Sequence, residues 1–103
     1  MIKFQQSMAT KAYCAKIPER PTEVLELRPF NDGTNRGAKI IEVNEDIADQ
    51  GWAQSIQLPS KIISIAGERI TGYTFKNIRR MLTECPLPIR FRLEVTFIFL
   101  IHK

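Results

Sequence analysis

The sequence predicts an α+β domain: a small, partly open antiparallel β-barrel or sandwich of five to six strands with one main helix and one short helix. Three observations lead there. Short segments rich in isoleucine and valine recur along the chain, each closed by glycine, proline or asparagine. The stretch Phe75 to Cys85 has the apolar spacing of an amphipathic helix. Ile89 to Val95 then alternates apolar and polar residues, the mark of a half-buried strand. Strands dominate the first half and the helix precedes the last strand, an order that suits a sheet with helices at its openings.

Residues 1–12 read as a flexible leader, polar with scattered apolar positions. The domain proper spans 13–95. A first strand runs from Tyr13 to Ile17, and Pro18 and Pro21 break regularity after it. Val24 to Leu27 reads as a second strand, stopped by Pro29, and the loop Asn31 to Gly37 follows. Ala38 to Val43 is a third strand; Ile47 to Gln50 is a short helical turn ended by Gly51. Trp52 to Leu58 carries no clear period, and Pro59-Ser60 is a turn. Ile62, Ile63 and Ile65 supply β-branched bulk to the next strand, and Gly67 permits a turn into a second short one. Thr74 caps the helix, whose Ile78, Met81, Leu82 and Cys85 share one broad face. Pro86 and Pro88 end it. Residues 96–103 form an apolar C-terminal extension.

Length and composition narrow the function. A chain of 103 residues suits one domain, and 44% hydrophobic with 25% charged residues is ordinary globular usage. Between Glu68 and Arg92 six cations stand against two carboxylates, a local +4 that equals the net charge of the whole chain. Such a face attracts anions, so nucleic acid and anionic lipid head groups form the alternative reading. Arg79-Arg80 and Arg90-Phe91-Arg92 mix cations with an aromatic, as single-strand binders do. Nucleic acid is nevertheless disfavoured, because the alternation at Ile89 to Val95 buries Phe91 on the face opposite the arginines. Cys14 and Cys85 lack metal-site or redox spacing, and a reducing, cytoplasmic setting is expected, with membrane association only through partners. The single histidine, His102, sits near the chain end; with no phosphate loop or nucleotide-binding glycine pattern, no catalytic residue, metal ligand or cofactor is expected. The apolar run from Phe97 to Ile101 is too short to cross a bilayer, and an exposed strand of this kind invites homo-oligomers through residues 96–101 or packing across its own domain.

The ordered set of segments resembles a PDZ domain. Gly37-Ala38-Lys39-Ile40-Ile41-Glu42-Val43 with Ala48 and Gly51 is similar to the family's third strand and first short helix. Ile62-Ile63-Ser64-Ile65-Ala66-Gly67 is similar to its strand ending in an Asn-Gly turn, with Ala66 in place of the asparagine. Ile70 to Phe75 resembles the approach to the second helix, and Ile89 to Val95 the last strand. Pro59-Ser60 stands where Gly-Asp is common, and Gly51 to Leu58 is about two residues longer than usual.

The resemblance implies an interaction module, a scaffold or adaptor and not an enzyme. It would bind the C-terminal or an internal extended peptide of a partner by β-strand addition between the second strand and the second helix. The peptide-binding residues would be Glu23, Val24, Leu25, Glu26 and Leu27 on one side and Phe75, Arg79 and Leu82 on the other. Leu25, Leu27 and Leu82 would line an apolar pocket, Phe75 would favour an apolar ligand residue, and Arg79 would draw acidic ones. The family's Gly-Leu-Gly-Phe-like carboxylate loop corresponds to Thr22-Glu23-Val24-Leu25, which contains no glycine. Lys16 and Arg20 would support a carboxylate there.

Overall fold

The computed structural model describes residues 4–31 and 33–102, with side chains over 8–31 and 33–97. The elements are β1 (Phe4–Ile17), α1 (Pro21–Val24), β2 (Leu25–Arg28), β3 (Lys39–Val43), a 3-10 turn (Glu45–Ile47), α2 (Gly51–Gln54), β4 (Ser60–Ile65), β5 (Glu68–Arg69), α3 (Phe75–Glu84) and β6 (Ile89–His102). The strands make one six-stranded antiparallel sheet in the order β1-β6-β4-β3-β2, with β5 paired to β4. This is the architecture the sequence predicts.

Alternation along β6 builds the core. Ile89, Phe91, Leu93 and Val95 are buried, whereas Arg90 and Arg92 are exposed. Ile17, Ile40, Ile62 and Ile65 join them from the other strands, and Ile78 and Leu82 from α3, in one cluster. Helix α3 forms where expected. Thr74 is its N-cap, its hydroxyl accepting the Asn77 amide at 3.2 Å. It stops at Cys85, whose extended backbone (φ −65°, ψ 135°) meets the restriction that Pro86 places on the preceding residue.

The short helical turn expected over Ile47 to Gln50 is instead a 3-10 turn at Glu45–Ile47 and the helix α2, which begins at Gly51 where the turn was expected to end. Three further expectations need correction. The leader expected over 1–12 is strand from Phe4 onward, because β1 pairs residue for residue with β6 out to Phe4 opposite His102. Residues 1–3 lie outside the described ones. The extension 96–103 likewise continues β6 to His102, and it packs across its own domain against 4–10. β6 pairs with β4 only between Phe91 and Glu94, so the far half of the β1–β6 ladder is a two-stranded ribbon and the molecule measures 56 × 32 × 22 Å. Third, the chain between Arg20 and Leu25, expected to be loop and strand, is a helical turn. Pro21 sits at its first position, where the missing N–H costs nothing.

Candidate functional site

β2 closes one end of the strand order, and its outer edge pairs with no strand among the described residues. Helix α3 is fastened to the chain on both sides of this strand. At its start, the Phe75 N–H donates to the Asn35 carbonyl at 2.8 Å, in the loop after β2. At its end, Arg20 Nη1 donates to the carbonyls of Leu82 (3.0 Å) and Cys85 (2.6 Å), from the turn before β2. The helix therefore runs antiparallel to β2. The first occupies an amide that the helix start leaves open, and the second satisfies carbonyls that its end leaves open.

The expected site residues fall into three groups. Leu25 and Leu27 are 7% exposed and Leu82 is fully buried, so the apolar pocket expected among them is filled by their own packing. Val24 and Phe75 are half-buried at the rim of the same core. Phe75 and Arg79 come together as their spacing implies, with the guanidinium 5.8 Å from the ring centroid. They share an open hollow of about 520 Å³ with Asn35, Thr74 and Lys76.

The carboxylate loop differs from expectation. In α1 the Glu23 N–H donates to the Arg20 carbonyl at 3.0 Å and the Leu25 N–H to the Pro21 carbonyl, so two of the donors that would face an anion are spent internally. Arg20, expected beside a ligand carboxylate, gives its guanidinium to the end of α3. Lys16 is exposed on β1 opposite Arg90, at the other end of the strand order from β2.

Glu26 is exposed on β2, and its register partner on β3 is Glu42, also exposed. With Glu23 and Glu45 they border a second open hollow of about 380 Å³. Arg28, two residues on, pairs in register with Lys39, which pairs with Lys61 of β4. Lys61 lies over the Phe30 ring at 4.3 Å. Sequence reasoning missed Lys39 and Glu42 as neighbours of the edge. The alternation Leu25-Glu26-Leu27-Arg28 gives the outward facing of Glu26 and Arg28, but the cross-strand register is not written locally.

Near the start of α3, the Tyr73 phenol is held above its ordinary range, mainly by its hydrogen bond to Glu68, with smaller contributions from desolvation and from the Glu68 charge. Phe91 is fully buried beneath the exposed Arg90 and Arg92, so the basic face carries no stacking platform there. Cys14 and Cys85 are free thiols. No helix among the described residues is long and apolar enough to cross a membrane.

A solved structure resembles this arrangement. Dlg1 PDZ2 of the choanoflagellate Monosiga brevicollis, known from its crystal structure, superimposes with a TM-score of 0.63, covering 81% of this chain and 90% of its own, at 15% sequence identity. The fold is PDZ-like. No protein-family model matches the sequence, and no curated protein does.

Proposed function

We propose that this protein is a peptide-binding interaction module that takes an extended segment of a partner protein as an additional strand on the outer edge of β2. The observation that carries the reading is the unpaired edge of β2 beside a helix fastened at both ends. Main-chain hydrogen bonds to that edge supply affinity, and alternate ligand side chains face the helix or the solvent. Because the Glu23 and Leu25 amides and the Arg20 guanidinium are already engaged, the segment is internal or extended rather than one gripped by its terminal carboxylate. Ligand side chains directed inward meet the half-buried Phe75 and Val24, since Leu82 offers no surface.

The test is a titration by fluorescence anisotropy with matched peptides that end in a free carboxylate or an amide. Affinity is expected to survive amidation and to be lost when alternate backbone amides are N-methylated. Phe75→Ala should weaken binding about tenfold, the effect of ~1.4 kcal/mol, and the exposed Arg80→Ala by less than about twofold. Binding that disappears on amidation, or equal losses in the two variants, would refute this mode.

A further inference from the structure

The solvent face of the sheet along β2 is divided by charge into two rows. One row is Glu26 opposite Glu42; the other is Arg28 opposite Lys39, continued by Lys61. Lys61 already has Glu94 of β6 as its register partner, but directly opposed like charges destabilise a strand pair, so Glu26 opposite Glu42 and Arg28 opposite Lys39 are unfavourable arrangements that a counter-charge on the open side of β2 relieves. Among the described residues the rows are joined by the ion pair of Arg28 with Glu26, at 3.2 Å, with side chains 58% and 45% exposed. A pair so exposed holds its partners weakly and yields to competition.

A strand added to the outer edge of β2 places one outward side chain directly beside Glu26 and, two residues away, another beside Arg28. The residue between them faces inward, as Leu27 does. The distances are those of ordinary cross-strand neighbours, about 4.5–5.5 Å between Cβ atoms. Every pairing among the described strands is antiparallel; resting on the reading above, we infer that the ligand segment likewise adds antiparallel to β2 and carries, from its N- to its C-terminal side, an acidic residue, an apolar residue and a basic residue. The acidic residue extends the cationic row at Arg28, the basic one extends the carboxylate row at Glu26, and the apolar one turns toward the core edge. Glu26 and Arg28 are thus specificity-determining residues for the added strand, and Lys39 and Glu42 reinforce them from β3.

The experiment compares three end-capped nonapeptides of alternating threonine and valine whose central residues are aspartate–valine–lysine, lysine–valine–aspartate, or threonine–valine–threonine. The first should bind on the order of tenfold tighter than the second, with the neutral peptide between them. The double reversal Glu26→Lys, Arg28→Glu should invert the order of the two charged peptides. Both side chains are exposed, so the variant should fold, and its thermal unfolding provides the check. Equal affinity of the charged peptides, or tighter binding of the reversed sequence, overturns the charge order while leaving strand addition standing. Failure of all three to bind overturns strand addition and this inference with it.

Discussion

Replacing Arg20 with methionine separates two roles for this residue, because methionine keeps the apolar stem and removes the guanidinium. In the structure that group makes two hydrogen bonds to the last carbonyls of α3, at 3.0 and 2.6 Å, across more than sixty residues of sequence. A hydrogen bond with one charged partner contributes about 1.5–3 kcal/mol net. Two such bonds do not simply add here. Both come from one nitrogen on a half-buried side chain, and water can reach carbonyls at a helix end once the guanidinium is gone. A loss of about 2 kcal/mol is therefore expected, equivalent to a fall in Tm of roughly 8–16 °C for a domain of this size. Urea unfolding followed by circular dichroism and by Trp52, the single tryptophan, which packs against the core, measures it. Arg20→Lys should fall between wild type and Arg20→Met, since an ammonium keeps the favourable charge at the helix C-terminus but not the planar donor set. A change below about 0.5 kcal/mol in Arg20→Met would refute the fastening. Selective loss of peptides with a free carboxylate, at unchanged stability, would instead show that Arg20 serves a ligand.

Further outcomes follow from local geometry. Thr74→Ala should cost about 1 kcal/mol in urea unfolding, because the Asn77 amide loses its acceptor at the start of α3. Ala66→Asn should stabilise the protein by recovering part of the ~1–2 kcal/mol that a left-handed conformation costs an ordinary residue. Ala66 (φ 50°) and Gly67 (φ 85°) form the two-residue turn between β4 and β5, where positive φ at both positions favours Asn-Gly. Glu68→Gln should lower the ionisation midpoint of Tyr73, followed by phenolate absorbance in a Tyr13→Phe background. The phenol's pKa is raised in the folded state, so the stability it contributes is present below pH ~10 and is lost as pH rises through the raised value. A midpoint indifferent to Glu68 would contradict that assignment.

Signals confined to a few neighbouring residues were legible in the sequence. Thr74 with the spacing of Ile78, Met81 and Leu82 specifies α3, and the alternation from Ile89 to Val95 specifies the core half of β6. The helical spacing of Phe75 and Arg79 also implies that they share one face, as they do. What was hidden depends on partners far along the chain. Gln5, Gln6 and Ser7 are not among the residues enriched in strands, and they extend β1 because Phe99, Leu100 and Ile101 pair with them. Helix α1 is a single turn whose proline reads equally well as a break. Arg20 resembled a cation beside an anion site because nothing local reveals that Leu82 and Cys85 lie within reach. The pairing of Glu26 with Glu42 is set by a register that includes a shift between Glu26 and Leu27, which no local pattern encodes.

The helical turn α1 stands where the resemblance implies an anion-binding loop, and this bears on the proposed recognition. A ligand held by its terminal carboxylate has its register set by that end. In the proposed complex nothing holds an end, and backbone hydrogen bonding alone lets an added strand slide along β2. A slip of one residue turns every inward side chain outward and is penalised by the loss of contact with Phe75 and Val24. A slip of two keeps each side chain on its face, so apolar contacts hardly distinguish it from the correct register. The two charge rows do. Moving an acidic–apolar–basic segment by two residues sets its carboxylate beside Glu26 or its cation beside Arg28, exchanging attraction for repulsion at that position. In the proposed complex, the division of the sheet's outer face into opposite signs two residues apart thus supplies the register that neither end of the ligand does.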